Sequence, residues 1–191
     1  MALTATQRKT NLQFMAVAAV STEAASGIPA ELSTAQCILE SGWLEFAPGN
    51  NPFGIKAYPA VPGRQLLDTT EWFTAAELGQ FLALADGRTA SVALKSGVPQ
   101  MAGQRTLYKV KDWFAKFISL SDAFGRHAEL LLTGAFYRKA TNQFKLDGDL
   151  NAYVEAIAAK YATSPAYASQ LEQLISQPNV KAALKAARKP A

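Results

Sequence analysis

Two runs with the composition of strands, residues 64–73 (Arg-Gln-Leu-Leu-Asp-Thr-Thr-Glu-Trp-Phe) and 105–117 (Arg-Thr-Leu-Tyr-Lys-Val-Lys-Asp-Trp-Phe-Ala-Lys-Phe), lie between stretches whose apolar residues recur at helical spacing. That order predicts a mainly α (α+β) fold, a helical body with one β-ribbon inserted between its second helix and its C-terminal helices. Residues 4–26 carry Leu12, Met15, Ala16, Ala19, Val20 and Ala24 on one face, with Gly27 as the stop. A second helix enters through Gly27-Ile-Pro-Ala30, with Pro29 at its first position, and ends before Gly42. Residues 45–62, rich in Pro, Gly and Asn, read as loop. Between the two strand-like runs, Thr74-Ala-Ala-Glu77 is a capping box opening a short helix that Asp86-Gly87 ends, and a Gly- and Ser-containing loop follows to Gly103. Helical spacing returns at 122–133 with Gly134 as stop, and a short turn is expected at 136–140. Two more helices are expected, one over 150–161 behind Asp149 and one from Ser164-Pro165 to about residue 175. Pro178 then sets off a basic tail. The expected organisation is one domain over 1–178, with the ribbon and inserted helix at 64–117, and a tail over 179–191.

Composition removes several function classes. With 49% apolar and 18% charged residues over 191 positions, the chain is globular and long enough for a real core. Cys37 is the only cysteine and His127 the only histidine. An internal disulfide is therefore impossible, no Cys- or His-rich metal centre is expected, and a Ser-His-Asp triad would rest on His127 alone. No metal and no cofactor are implied, and His127 is expected at an ordinary helix position. The net charge of +4 comes from Lys181, Lys185, Arg188 and Lys189; without them basic and acidic residues balance. A neutral body argues against a nucleic-acid partner, and the basic end suits loose attraction to an anionic polymer or simple solubility. No run is long and apolar enough for a transmembrane segment. A secretory signal built on Arg8, Lys9 and the apolar run 14–20 is the weaker reading. Asn11 and Gln13 interrupt its approach, and Glu23 stands where a small-residue cleavage site belongs.

One carboxylate stands out. Within the second helix, Leu32, Ala35 and Leu39 form an apolar stripe, while Glu40 shares a face with Gln36 and Cys37 and falls in the last turn. Unpaired carbonyls at a helix C-terminus and an apolar neighbour such as Trp43 both disfavour an ionised carboxylate. A carboxylic acid kept protonated near neutrality is what general-acid attack on a glycosidic oxygen needs. On spacing alone, the simpler account is a surface glutamate at a helix end.

The words of the sequence go further. Ala35-Gln-Cys-Ile-Leu-Glu-Ser-Gly-Trp43 resembles the AQAxLESGWG segment of glycoside hydrolase family 73, endo-β-N-acetylglucosaminidases that cut bacterial peptidoglycan, including those of the flagellar-rod type. Asn51-Pro-Phe-Gly-Ile-Lys56 is similar to that family's NLFGIK, and Tyr161-Ala-Thr-Ser-Pro-Ala-Tyr167 to its YATDPxY. The three occur in the family's order, and a looser match runs from about residue 14 to 175. The chain departs from the pattern at Leu44, where glycine is usual, at Pro52 in place of leucine and at Ser164 in place of aspartate.

The resemblance implies a lysozyme-like helical domain with a small β-lobe, acting on peptidoglycan glycan strands in the cell wall, periplasmic or extracellular, and a monomer is expected. It maps the catalytic acid onto Glu40. The second carboxylate falls on Glu71, in Thr69-Thr-Glu-Trp72, with Glu45 and Asp68 as substitutes. Trp43, Trp72 and Tyr161 are the implied substrate-binding residues, and Tyr161 would line the cleft near the acid. Phe53 and Tyr58 either stack on sugar faces or anchor their loop. Glu71 would activate water or orient the substrate's own N-acetyl group as an internal nucleophile. A muramidase or lytic transglycosylase on the same scaffold is the enzymatic rival, and a non-catalytic wall-binding module is the rival of another class.

Overall fold

Thr4 opens the first helix, α1 (Ala5–Ser26), through a capping box with Gln7, and Gly27 closes it in the left-handed conformation (φ 74°) that glycine adopts without strain. The computed structural model describes residues 2–57, 63–162 and 164–189. It divides into two compact units: residues 1–54 with 117–191, and residues 55–116.

The first unit is helical. After α1 come α2 (Ala30–Ser41) and a 3₁₀ turn (Pro48–Asn50). The chain returns with α4 (Leu120–Thr133), α5 (Arg138–Asp147), α6 (Leu150–Tyr161), α7 (Tyr167–Ser176) and α8 (Pro178–Ala187). Its core joins Ile28, Leu32 and Ala35 of the α2 region with Leu131 of α4, Tyr153, Val154 and Ile157 of α6, and Leu171 of α7. Burial of each large apolar side chain contributes roughly 1.5–3 kcal/mol. Tyr153 fits this interior because its hydroxyl meets Thr141 Oγ1 at 2.8 Å, and Thr141 in turn donates to the Leu131 carbonyl at 2.8 Å. Burial pushes the Tyr153 hydroxyl up to about 12, so it stays protonated. Within the apolar run 14–20 of α1, Met15, Ala16, Ala18 and Ala19 are buried while Phe14 and Val17 are exposed. Among the described residues no helix is long and apolar enough to cross a membrane.

Two expectations need correction here. The short turn expected at 136–140 is realised only at 135–137, after which α5 begins at Arg138 and runs to Asp147. Its sequence, RKATNQFKLD, is so polar that only Thr141 is buried, and apolar spacing gave no signal. The basic stretch beyond Pro178 is a packed helix and not a tail. Pro178 sits in its first turn, where a missing N–H costs nothing, and Val180 and Leu184 are buried. Arg188, at its C-cap, donates to both Glu31 oxygens and to Glu23, tying α8 to α1 and α2. Burial opposes charge on Glu31, yet the Arg188 guanidinium holds that carboxyl below its ordinary range. Leu184→Ala is accordingly expected to cost about 2–3 kcal/mol in urea unfolding, a loss that a solvated tail would not show.

The second unit is the β-lobe. Strand β1 (Arg64–Phe73) pairs antiparallel with β6 (Arg105–Ala115) along its whole length, from Arg64 opposite Ala115 to Phe73 opposite Thr106. Between them α3 (Ala75–Ala83) starts on the expected Thr74–Glu77 capping box. The segment expected as loop to Gly103 contains β2 (Thr89–Val92), which pairs with the other side of β6, and β5 (Met101–Ala102), which pairs with its start. A small hairpin of β3 (Leu94–Lys95) and β4 (Val98–Pro99) lies between them. Strands of two to four residues are too short to show a period, which is why the sequence read them as loop.

Candidate active site

Glu40 lies in the last turn of α2, as its spacing predicted. Gly42 caps the helix at φ 58°, and the left-handed path continues through Trp43 (φ 66°) and Leu44 (φ 67°). Leu44 is the position where the resembled family carries glycine, and the backbone supplies the reason: a side chain here costs on the order of 1 kcal/mol. Ser41 offsets part of that cost. Its hydroxyl donates to the Cys37 carbonyl at 2.5 Å and accepts from the Leu44 amide at 2.8 Å, fixing the turn.

The Glu40 side chain is exposed and is held through one oxygen: the Tyr167 hydroxyl donates to Oε1 at 2.6 Å. Oε2 has no hydrogen-bond partner among the described residues. Tyr167, the first residue of α7, receives a long bond from buried Gln36 Nε2 at 3.4 Å. Burial, reinforced by the bond to Glu40, pushes the Tyr167 hydroxyl far above its ordinary range, so it serves only as a neutral donor. Tyr161 stacks on Tyr167, with ring centroids 5.8 Å apart and 14° between planes. Burial and the nearby Glu40 carboxyl likewise push the Tyr161 hydroxyl up. Glu40 and Tyr161 are thus brought together, and Tyr167 is the link between them. The last residue of the 161–167 motif carried that signal, because a seven-residue segment with a tyrosine at each end can place two rings side by side.

Behind Tyr161 the cluster continues inward. His127, fully buried, meets the Tyr161 ring edge-on at 6.1 Å and stacks on Phe53 at 4.1 Å with 10° between planes. Phe53 also meets Phe124 edge-on at 5.0 Å and is only 5% exposed. Of its two sequence readings, the loop anchor is the one the structure realises, and a sugar platform is excluded by its burial. Trp43 is elsewhere: it lines an apolar groove of about 790 Å³ along α1 and α8, together with Leu12, Val17 and Ala183, and takes no part in the tyrosine cluster. Its carbonyl accepts from Asn11 Nδ2 at 2.8 Å. Tyr58 lies outside the described residues.

In the β-lobe, Glu71 is opposite Tyr108 in the register and faces the same side as Thr69 and Phe73. Trp72, the next residue, points to the other face, with Asp68 and Thr70. One strand therefore does not present Glu71 and Trp72 to the same ligand. Asp68, on the same face as Trp72 and away from Glu71, pairs across the strands with Lys111 at 3.0 Å and is 82% exposed. Glu71 itself accepts from Lys56 Nζ at 2.7 Å through Oε1. Lys56 also donates to Asp112 Oδ2 at 2.7 Å, while Asp112 Oδ1 accepts from Arg88 Nε and from the Trp113 amide, each at 2.7 Å. Burial would raise the Asp112 carboxyl, but Lys56 and Arg88 together hold it below its ordinary range. Neither Lys56 nor Asp112 drew attention in the sequence as a site residue, because nothing in a linear reading places 56, 71 and 112 side by side. Among the described residues no group of three His, Cys, Asp or Glu side chains is arranged to hold a metal ion.

The α-rich body with its small antiparallel sheet is of lysozyme-like type, and the chain is a glycoside hydrolase. The chain belongs to the glucosaminidase family, glycoside hydrolase family 73, whose model, described as mannosyl-glycoprotein endo-β-N-acetylglucosaminidase, matches residues 16–180. Among solved structures, it is similar to the catalytic domain of the autolysin Auto from Listeria monocytogenes. That match has 21% identity and a TM-score of 0.62, and covers 96% of this chain and 90% of the other. A peptidoglycan hydrolase from Sphingomonas sp. A1 matches at 21% identity and a TM-score of 0.61, covering 96% and 97%. The C-terminally truncated glycoside hydrolase domain of FlgJ from Salmonella typhimurium matches at 25% identity and a TM-score of 0.60, covering 92% and 98%. A search of curated protein sequences finds no match.

Proposed function

We propose that this chain is an endo-β-N-acetylglucosaminidase that cleaves the β-1,4 bond between N-acetylglucosamine and N-acetylmuramic acid in peptidoglycan. The observation that carries this reading is the Glu40 carboxyl at the end of α2, steadied on Oε1 by a hydroxyl that cannot lose its proton and open on Oε2. In this reading Glu40 delivers the proton to the departing sugar oxygen as positive charge develops on the other ring. Glu71 is the second carboxylate, either activating water or orienting the substrate's N-acetyl group. An ammonium partner suits that role, since Glu71 must act there as an anion. Tyr161 and Tyr167 hold the acid in place. The substrate is drawn from the names of the similar structures, an autolysin and a peptidoglycan hydrolase. The family description names a different carrier, a mannosyl glycoprotein, and the same kind of enzyme, an endo-β-N-acetylglucosaminidase. The reading takes the protein to act as a monomer on the cell wall, periplasmic or extracellular.

The test is the identity of the new chain end. Peptidoglycan digested with the protein, reduced with borohydride and analysed by mass spectrometry is expected to yield fragments ending in reduced N-acetylglucosamine. Reduced muramic acid would make the enzyme a muramidase, its anhydro form a lytic transglycosylase, and binding to walls without any new ends a non-catalytic module.

A further inference from the structure

Lys56 stands between two carboxylates of unequal freedom. Asp112 is saturated: Oδ2 accepts from Lys56, Oδ1 accepts from Arg88 and from the Trp113 amide, and the residue is 8% exposed. Arg88 is itself braced by Asp86. Glu71 is half free, with Oε1 on Lys56, Oε2 without a hydrogen-bond partner among the described residues, and a side chain 36% exposed. The ammonium is fixed by more than its two ion pairs. It lies 4.1 Å from the centroid of the Phe114 ring, and the Lys56 backbone forms a β-bridge to Phe114 in β6. The three donors of a lysine are thus spent on a buried acid, a half-exposed acid and an aromatic face.

We infer that Lys56 is the positioning residue of the second carboxylate: anchored on Asp112, it fixes Oε1 of Glu71 and leaves Oε2 to meet water or substrate. The inference rests on the proposed glycosidase reading, in which Glu71 acts in the reaction. Asp112 cannot take the reacting role itself, since both of its oxygens are occupied and shielded. Its contribution is to keep the ammonium from following Glu71 when that side chain rotates. A carboxylate held through one oxygen loses rotamer freedom before substrate arrives, which is the ordering that catalysis otherwise has to supply.

A double-mutant cycle tests this. Initial rates on purified peptidoglycan strands are measured for wild type, Lys56→Met, Lys56→Arg, Glu71→Gln and the Lys56→Met/Glu71→Gln pair, with thermal melting of each. Lys56→Met is expected to lower kcat by about 10- to 100-fold, with KM changed less than about 2-fold. Lys56→Arg, which can still span two carboxylates, is expected to recover most of that loss. The double variant is expected to be no slower than Glu71→Gln alone, because Lys56 acts only through Glu71. Losses that multiply in the double variant, or a Lys56→Met enzyme of near wild-type kcat, would overturn the inference. If Lys56→Met fails to fold, Lys56→Gln replaces it in the cycle. Side-chain scalar couplings of Glu71 measured by NMR report positioning without turnover: one rotamer in wild type, and averaging in the Lys56 variant. Averaging already present in the wild type would overturn the inference too. A wild type that leaves peptidoglycan uncut while Glu71 holds one rotamer would instead refute the proposed function.

Discussion

Glu40→Gln is expected to slow peptidoglycan cleavage by about 10²- to 10⁴-fold, the range a positioned general acid supplies. The substitution keeps the shape and leaves an amide oxygen that can still accept from Tyr167, so the loss falls on the proton and not on the scaffold. Because Glu40 is exposed, outside the α2 core of Leu32, Ala35 and Ile38, the melting temperature should barely move. Turbidity clearing of cell walls and quantitation of new reducing ends read the activity, and circular dichroism melting reads the fold. A variant that clears walls at the wild-type rate would remove Glu40 from the mechanism.

The second large effect concerns stability, and its source is His127. The imidazole is fully buried between Phe53 and Tyr161, and neither ring nitrogen has a hydrogen-bond partner among the described residues. Burial alone pulls its pKa down from 6.5 to about 3. Above pH 6.5 folded and unfolded chains both carry the neutral ring, and the group adds no pH dependence. Below it the unfolded chain takes up a proton that the native ring refuses, so stability declines with falling pH until about pH 3. At about 1.4 kcal/mol per pH unit, the loss between pH 6.5 and pH 4 is on the order of 3 kcal/mol. His127→Phe keeps an aromatic ring against Phe53 and removes the proton acceptor. Urea unfolding at pH 7, 5.5 and 4 is expected to show the variant losing about 3 kcal/mol less than wild type over that interval. Asp112, whose carboxyl lies below its usual range, yields its ion-pair stabilisation only as the medium becomes still more acidic, and equally in both proteins. Superimposable pH dependences for wild type and variant would show that the ring is not the sensor.

The parts legible in the sequence were those whose signal is local. The capping boxes at Thr4 and Thr74 set helix starts, and Gly27 and Gly42 set helix ends in left-handed conformations. The strand pair was visible from its composition, and β6 ends two residues earlier than expected. Glu40 was legible because helical spacing and a recognisable segment agreed on it. What stayed hidden depends on contacts between distant positions. Helix α5 has too few apolar residues to announce itself, and α8 reads as a tail because its lysines outweigh the two residues it buries, Val180 and Leu184. Tyr167 meets Glu40 across 127 positions of chain and Lys56 meets Asp112 across 56, separations over which no period survives. The roles of the aromatic residues diverged for a similar reason. Phe53 went inward to cover His127, while Trp43 turned toward α1 and α8, and only packing decides between such outcomes.

The tie from Arg188 to Glu23 spans 165 positions, and the unit it closes is interrupted by the whole β-lobe. During synthesis the helices on the N-terminal side must therefore wait, with Leu12, Met15 and Leu32 uncovered, until α6, α7 and α8 have left the ribosome. The β-lobe, contiguous from 55 to 116, is free to form first. Glu40 gains its Tyr167 partner only once the start of α7, 127 positions further along the chain, has been made.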